Sequence, residues 1–424
     1  MENAKTASIK LEVAPSFRWL ALALNCLVMT FFFMAVQLVA TFGTVIMTDW
    51  KLNTAQFGML VTMTFLSYAL FNYFGGSWGA KIGTRNIVTI GIVIAIVSTV
   101  IWPFVHNYTV MLGVRFIQGI SGGIFMGSVL GSAAVWFPAR ERGFTQGILL
   151  GFMGIGFVVD SALAPILLNA GYNWQNGSAM LIGIPGVIIG ILYFLLFKDL
   201  AQLYPGVETI DDILPKTTGE NTAAESSTNE YVQPETWEAT IRSTKFWLAA
   251  VNIFANCFIV FTLGSYLPLL LANDMKLGPE TVASVLAVTF FSTLIASPLG
   301  GLLSDKVFHS KRYPVIVIGF ALCLVFCLWV PYASLGLLPF VLFVAYGSIP
   351  FVNGPFWCLP AELVRPAFAG RASGMLLFLG LLGGVIANPI VGSFVDMTGS
   401  NYIALYIFAA MSVLGLVTGL AIKK

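Results

Sequence analysis

The sequence predicts an all-α membrane protein: twelve transmembrane helices in two pseudo-symmetric six-helix bundles, with both termini in the cytoplasm. Three observations support this fold class. First, 58% of the 424 residues are hydrophobic and only 9% are charged, whereas soluble domains carry about 25% charged residues. Second, apolar runs of about 20 residues recur, and only helices of that length can cross a bilayer with every backbone group hydrogen-bonded. Third, short motifs of the first half recur in the second.

The apolar runs define twelve predicted spans, separated by short polar stretches that hold nearly all the charged residues. Their predicted limits are 19–45, 55–78, 87–105, 109–136, 144–168, 174–197, 246–271, 280–303, 314–332, 336–358, 372–395 and 401–422.

The distribution of basic residues predicts the orientation. With the N-terminus inside, only Lys51 and Lys276 lie outside the cell, and Arg115 lies within a span; every other Lys and Arg faces the cytoplasm. Because cytoplasmic loops carry an excess of Lys and Arg, we expect both termini in the cytoplasm.

Residues 198–245 form the one long polar segment, rich in Glu, Asp, Ser, Thr and Asn. Such a segment cannot bury a core, so we expect it to be largely flexible, with a short surface helix between Pro234 and Thr244. The predicted domains are therefore an N-terminal six-helix bundle (1–197), a cytoplasmic linker loop (198–245) and a C-terminal six-helix bundle (246–424).

The two predicted bundles share sequence motifs at nearly one offset. The run that begins Gly75-Gly76 after span 2 recurs as Gly300-Gly301 after span 8, 225 positions later. Phe137-Pro138-Ala139-Arg140 at the end of span 4 is echoed by Leu359-Pro360-Ala361-Glu362 at the end of span 10, 222 positions later. Membrane proteins built from such repeats place their substrate near the midplane and rock one repeat against the other.

These motifs resemble those of the major facilitator superfamily. The loop signature Gly-x-x-x-Asp-(Arg/Lys)-x-Gly-x-(Arg/Lys) is matched after span 8, and after span 2 with Ala80 at the Asp position; the span-4 signature Arg-x-x-Gln-Gly is complete. The matching residues are Gly301, Asp305, Lys306 and Lys311 or Arg312 in the second half, Gly76, Lys81, Gly83 and Arg85 in the first, and Arg115, Gln118 and Gly119 in span 4. The glycine-rich span 5 with Pro165 fits the same family. The resemblance implies the major facilitator fold and secondary transport by alternating access; it is loosely like the organic anion porters and leaves the substrate subfamily open.

Two ionisable residues lie deep in the predicted spans, Arg115 in span 4 and Asp160 in span 5. Intramembrane charges are rare and usually functional. Because consecutive helices often pack side by side, we expect the two to form a charge-assisted pair. In the functional interpretation, protonation of Asp160 frees Arg115 to bind a substrate carboxylate, so Asp160 is the proton-coupling residue. In the structural interpretation, the pair is a fixed bridge between helices.

Polar, uncharged residues on other spans are candidate substrate contacts beside Arg115. A few polar groups among aromatic side chains suit a small organic molecule. The candidates are Gln37, Tyr68, Asn72, Gln118, Asn252, Asn256, Tyr346, Asn353, Trp357 and Asn388.

Charged residues of the cytoplasmic loops are candidate gating residues. Asp305 is expected near the N-terminus of span 5, where a carboxylate interacts favourably with the helix dipole. Exposed ion pairs contribute at most about 1 kcal/mol, which suits a contact that must open. The gating candidates are Lys81, Arg85, Arg140, Arg142, Asp305, Lys306, Glu362 and Arg371.

The predicted function is a secondary active transporter in the cytoplasmic membrane that moves a small organic anion, a carboxylate, by proton symport or by antiport. The alternative is a transporter of a neutral or zwitterionic solute in which Arg115 and Asp160 are a structural pair; a non-transporting receptor on the same fold is a third hypothesis. We expect no enzyme activity, cofactor, metal site or nucleic-acid partner, and we expect a monomer. The five cysteines lack zinc-site or redox-pair spacing.

Overall fold

A computed structural model describes residues 15–205, 207, 210, 213, 214, 234, 236–308, 311–357, 359, 363 and 366–422. Its described part contains twelve helices long and apolar enough to cross a membrane, as predicted. We number them α1 to α12 after the spans. They are α1 (Phe17–Thr41), α2 (Thr54–Ile82), α3 (Thr84–Val100), α4 (Tyr108–Trp136), α5 (Ala139–Asn169), α6 (Trp174–Leu196), α7 (Thr244–Leu269), α8 (Pro279–Leu302), α9 (Tyr313–Trp329), α10 (Leu338–Phe356), α11 (Pro366–Thr398) and α12 (Tyr402–Ile422).

The first span is shorter than predicted. Helix α1 ends at Thr41, the backbone breaks at Phe42, and a second short helix occupies Gly43–Asp49. Hydropathy continues across this break because both pieces are apolar, so the sequence pattern alone could not locate it. The predicted surface helix before span 7 is confirmed as Trp237–Arg242, capped by the Thr236 hydroxyl, which accepts from the backbone N–H of Ala239.

Two faces of the bundle are useful landmarks. The terminal face holds Phe17 at the start of α1 and Ile422 at the end of α12, and the distal face holds Gly43–Asp49 and the start of α2. The first six helices pack mainly among themselves, as do the last six, and the halves meet chiefly where α5 packs on α8 and α2 packs on α11.

Glycines explain how closely α5 and α8 approach. A Cβ at Gly147 would lie 3.2 Å from Cα of Pro298, one at Gly151 would lie 3.1 Å from Cα of Leu294, and one at Gly154 would overlap the carbonyl oxygen of Phe290. Helix α5 is thus packed tightly at the boundary between the halves. On α11, Gly380 faces Ile253 of α7 within the second half, whereas Gly392 lies against Ala55 of α2 across the boundary.

The repeat extends to backbone conformation. Lys51 and Lys276, 225 positions apart, are the two non-glycine residues of the described chain with positive φ, at 51° and 55°. Each follows an aspartate that binds the start of the sixth helix of its half. Asp49 Oδ2 accepts from Trp174 Nε1 at 2.9 Å, and Asp274 Oδ1 accepts from the backbone N–H of Asn401 at 3.0 Å. The two halves therefore share a distal-face turn as well as their sequence motifs.

Candidate functional site

Six aromatic side chains from six helices meet where the halves touch near mid-membrane. Four ring contacts link α1 with α5, α1 with α7, α2 with α7 and α5 with α8, and a fifth joins α8 to α10. All six residues are buried. We call this set the aromatic layer; its members are Phe33, Phe65, Phe157, Phe261, Phe290 and Tyr346.

Asp160 lies one helical turn beyond Phe157, toward the distal face. Its side chain is fully buried, and neither carboxyl oxygen has a hydrogen-bond partner within the described residues. Gly156, one turn earlier on α5, faces α1, because a Cβ there would lie 2.5 Å from the carbonyl oxygen of Thr30. Residues four apart share a helix face, so Asp160 also faces α1. An ionised carboxylate without donors in apolar surroundings is costly, so this group is a candidate for proton uptake.

Arg115 is also fully buried, but all its guanidinium nitrogens are occupied. Nε donates to the carbonyl of Leu60 in α2 at 3.2 Å, and the two terminal nitrogens donate to the carbonyls of Ala35 and Val36 in α1 at 3.3 and 3.1 Å. Nη1 also donates to Gln118 Oε1. Arg115 thereby ties three helices of the first half together.

The expected pair between Arg115 and Asp160 is wrong for this conformation. The reason lies in the helix packing: α4 packs mainly on α2 and α3, whereas α5 packs on α8 and α1. Consecutive helices therefore do not bring the two charges together. The structural bridge assumed in the neutral-solute alternative is absent as well.

The Arg-x-x-Gln-Gly signature has a local structural explanation. Gln118 holds the Arg115 guanidinium through its amide oxygen and donates from Nε2 to the Thr99 hydroxyl in α3 at 2.7 Å. Gly119 lies against α2, where an added Cβ would overlap the carbonyl oxygen of Thr64. The motif therefore joins α4 to its neighbours.

Polar contacts close the distal side of the boundary between the halves. Asp396 of α11 accepts from the backbone N–H groups of Thr54 and Ala55 at 2.9 and 2.8 Å, which caps the N-terminus of α2. The Thr62 hydroxyl donates to the carbonyl of Val385 at 3.1 Å. We call these three hydrogen bonds the distal seal. They hold α2 against α11 on the distal side of the aromatic layer.

A small notch lies beside the aromatic layer at Gly264. Gln37 Nε2 donates to the Gly264 carbonyl at 2.9 Å, another contact between the halves. The position of a Cβ on Gly264 would be 3.7 Å from both Gln37 Oε1 and the Tyr346 hydroxyl. That hydroxyl is buried and has no partner within the described chain. The notch therefore places one unpartnered hydroxyl group next to aromatic rings.

Several other predicted substrate residues form hydrogen bonds within their own half, to a neighbouring helix or, for Asn388, within α11 itself. Asn252 Nδ2 donates to the Gly415 carbonyl and the Thr418 hydroxyl of α12, Asn256 donates to the Ile349 carbonyl, and Asn388 donates to the Gly384 carbonyl. Asn252 thus points away from the boundary between the halves. The remaining predicted residues are Tyr68, whose ring meets Phe32; Asn72, whose Nδ2 is buried without a partner in the described part; Asn353, which is buried; and Trp357, which is half-buried.

The gating candidates within the described residues lie at the terminal face. The Arg85 guanidinium lies 5.1 Å from the Phe194 ring centroid, and Lys81 and Lys306 are exposed. Asp199 caps α3 there, accepting from the backbone N–H of Thr84 at 3.0 Å. Glu362 lies outside the described residues, and the side chains of Arg140, Arg142, Asp305 and Arg371 are not described.

Sequence reasoning predicted Tyr346 of the aromatic layer but missed its five phenylalanines, and it missed Asp396. With 35 phenylalanines in the chain, none stood out as a site residue. Asp396 directly follows a predicted span, where a charge ordinarily faces water, and only the fold shows that it reaches the start of α2. Within the described residues no group of His, Cys, Asp or Glu could hold a metal ion.

A surface cavity of about 800 Å³ opens at the distal face within the first half. Asp49, Trp50, His106 and Trp174 help to line it. None of the predicted substrate residues borders it, and it lies away from the boundary between the halves. The aromatic layer and its notch remain the better candidate site.

The chain resembles known membrane transporters in both fold and sequence. A solved bacterial homolog of the human lysosomal transporter Spinster superposes with a TM-score of 0.69 at 16% identity, covering 97% of this chain and 98% of that one. The family model of the Major Facilitator Superfamily matches residues 19–388. The chain belongs to this superfamily. It is accordingly a multi-pass transporter of the inner membrane and not an enzyme, and the predicted twelve-helix fold is confirmed.

Two curated members of the superfamily match most of the chain. A probable sulfoacetate transporter of Cupriavidus necator is 23% identical, covering 88% of this chain and 86% of its own length. The hexuronate transporter of Bacillus subtilis is also 23% identical, covering 83% of this chain and 82% of its own. Both are transporters of organic anions.

Proposed function

We propose that this superfamily member moves a small organic anion, a carboxylate, across the cytoplasmic membrane by alternating access, driven by protons or by exchange. The observation that carries the proposal is the separation of Arg115 from Asp160. If the two were paired, the membrane-embedded part of the first half would hold no net positive charge for an anion. Arg115 instead binds neutral carbonyl groups, so its charge is not cancelled. The named substrates of the relatives above, sulfoacetate and hexuronate, support the same class.

Anion binding at Arg115 would be linked to movement of α1. Four of the five guanidinium N–H groups have acceptors, so a carboxylate that binds both terminal nitrogens must replace the carbonyl of Ala35 or of Val36. A charged acceptor forms a stronger hydrogen bond than a carbonyl does, so the exchange is favourable once the anion arrives. Helix α1 also contacts α7 through Gln37, so this displacement would reach the boundary between the halves.

Asp160 would carry the coupling proton. Its two unpartnered carboxyl oxygens favour the protonated, neutral form in the conformation described here. Opening of the site to water on either side would lower the cost of ionisation and release the proton. Protonation would thus follow the same conformational cycle as anion binding.

A neutral or zwitterionic substrate is the second candidate, and the filled coordination of Arg115 favours it. Four acceptors from the protein bind four of the five guanidinium N–H groups without any substrate. In that case Arg115 joins α1, α2 and α4 and does not contact the substrate.

Uptake into proteoliposomes tests the proposal. The panel contains sulfoacetate, glucuronate and tartrate as anions, alanine as a zwitterion and glucose as a neutral solute, each with and without an inward proton gradient. We expect anions to accumulate and alanine and glucose to remain at background. Asp160→Asn should abolish gradient-driven accumulation while counterflow exchange persists, and Ser161→Ala, at the next position, is the matched control. Accumulation of glucose or alanine alone contradicts the proposal, and unchanged accumulation by Asp160→Asn contradicts the coupling role.

A further inference from the structure

Resting on the proposed function, we infer that the transported anion has a planar aromatic body, and that this body binds between Phe33 of α1 and Phe261 of α7. The two rings belong to opposite halves and face each other almost in parallel, with planes 7° apart and centroids 6.5 Å apart. The relatives named above transport anions without aromatic rings, so the inference separates this chain from them.

The spacing of these rings differs from that of the other pairs in the aromatic layer. The other four contacts are tilted or edge-on, with centroids 4.4 to 5.9 Å apart. A flat ring between two phenyl faces makes two carbon contacts of about 3.5 Å, so it needs about 7 Å between the two faces. The centroid distance of 6.5 Å is the upper limit of the present separation of the faces. Because the two rings belong to opposite halves, rocking of one half against the other would move them apart and open a slot for the substrate ring.

Polar atoms lie one turn farther toward the distal face. The notch at Gly264 follows Phe261 by one turn and is bordered by Gln37 Oε1 and the unpartnered hydroxyl of Tyr346. Gln37 follows Phe33 by one turn, so the ring site and the notch are continuous. A flat anion could place its ring in the layer and a polar substituent in the notch.

The same surroundings disfavour a polyhydroxylated anion. Each substrate hydroxyl that leaves water without a partner carries an energetic penalty. The described side chains that meet in the aromatic layer are five phenylalanines and one tyrosine, which supply a single hydroxyl group. Such a site favours substrates whose aromatic rings stack on the phenylalanines, and it offers few hydrogen-bond partners to the hydroxyl groups of a sugar acid.

The test compares three dicarboxylates of equal charge: terephthalate, trans-cyclohexane-1,4-dicarboxylate and tartrate. Terephthalate and the cyclohexane compound have the same charged groups and similar length, so they differ mainly in planarity. Each is measured as direct uptake into proteoliposomes containing the full chain. We expect the half-saturation concentration of terephthalate to be at least about tenfold lower than that of either competitor, because only its ring can stack on both faces.

Variants locate the effect. Phe33→Leu and Phe261→Leu should each raise the terephthalate half-saturation about tenfold and leave the cyclohexane compound nearly unchanged, because leucine fills space without a ring face. Phe261→Tyr keeps the ring and should retain wild-type preference. Phe254→Leu is the control, since Phe254 lies on the same helix outside the layer. Gly264→Ala should weaken uptake of 4-hydroxybenzoate, whose hydroxyl group would occupy the notch.

The outcomes separate this inference from the proposed function. Uptake of tartrate and the cyclohexane compound as good as that of terephthalate, or unchanged terephthalate preference in both leucine variants, overturns the aromatic site and leaves anion transport standing. Uptake of glucose or alanine without any anion removes the proposed function and the inference with it.

Discussion

The hydroxyl of Thr62 in α2 donates to the carbonyl oxygen of Val385 in α11, 3.1 Å away, across the boundary between the halves. This carbonyl is available because Pro389, four residues later, has no N–H to donate to it. The first half thus supplies a hydrogen-bond donor to a backbone carbonyl that has no donor within its own helix in the second half. Asp396, about three turns beyond Val385 on α11, adds its own contacts with the start of α2.

Replacing Thr62 by valine should weaken the distal seal. Valine has nearly the same shape but cannot donate, so the Val385 carbonyl loses its partner at a cost of about 1 kcal/mol in the sealed conformation. Spin labels at the exposed positions 48 and 397 report the opening as a longer distance by pulsed electron resonance. Thr89→Val is the matched control because the Thr89 hydroxyl binds a carbonyl of its own helix. Equal distance distributions for both variants would show that the Thr62 contact is unimportant.

Asp396→Asn should also weaken the distal seal and open the distal face. The amide keeps the size of the carboxylate but loses the charge that stabilises a helix N-terminus, a difference of about 0.3–1 kcal/mol at an exposed site. The distance between the same two spin labels, at positions 48 and 397, measures this opening. Asp274→Asn serves as the control, because the hydrogen bonds of Asp274 to Ser400 and Asn401 stay within the second half. A shift caused equally by both substitutions would argue against a seal between the halves.

Gly119→Ala should severely reduce folding yield. The new methyl group would overlap the Thr64 carbonyl in α2, and overpacking of this kind costs about 1–3 kcal/mol or more. Gly113→Ala on the same helix is the control, since no atom lies within 4 Å of a Cβ there. The control should be neutral or more stable, because alanine favours helix over glycine by about 0.5–1 kcal/mol. Thermal unfolding in detergent measures both, and equal melting temperatures would contradict the close approach.

Arg115→Lys should destabilise the first half although the charge is retained. Lysine has one ammonium nitrogen and lacks the planar fork of the guanidinium, so it cannot donate to the carbonyls of two helices. At least one buried carbonyl would then have no partner, which costs about 1–3 kcal/mol. Arg242→Lys, on the surface helix, is the matched control. A lowered melting temperature for Arg115→Lys alone is the expected result. If Arg115→Lys melts like wild type, Arg115 does not hold the helices together, and a direct substrate role gains support.

Hydropathy and basic-residue placement were enough to predict the twelve helices, because a membrane requires long apolar segments whatever their packing. The same reasoning could not predict the break at Phe42, where apolar residues continue on both sides. Arg115 and Asp160 were identified by their rarity in apolar surroundings, and both are fully buried. Their separation could not be predicted, since it depends on which helices are neighbours in space. The aromatic layer depends on the same information, as its rings come from six separate spans.

The glycine-lined contact between α5 and α8 has a mechanical consequence. Where the glycines of α5 lie against the backbone of α8, few side chains interlock, so few contacts must break before one helix rolls over the other. The barrier to movement along the α5–α8 contact should be low, so this contact can serve as the pivot throughout the transport cycle. The barrier to rocking of the halves would then come mainly from the few hydrogen bonds of the distal seal, which can determine how fast the carrier turns over.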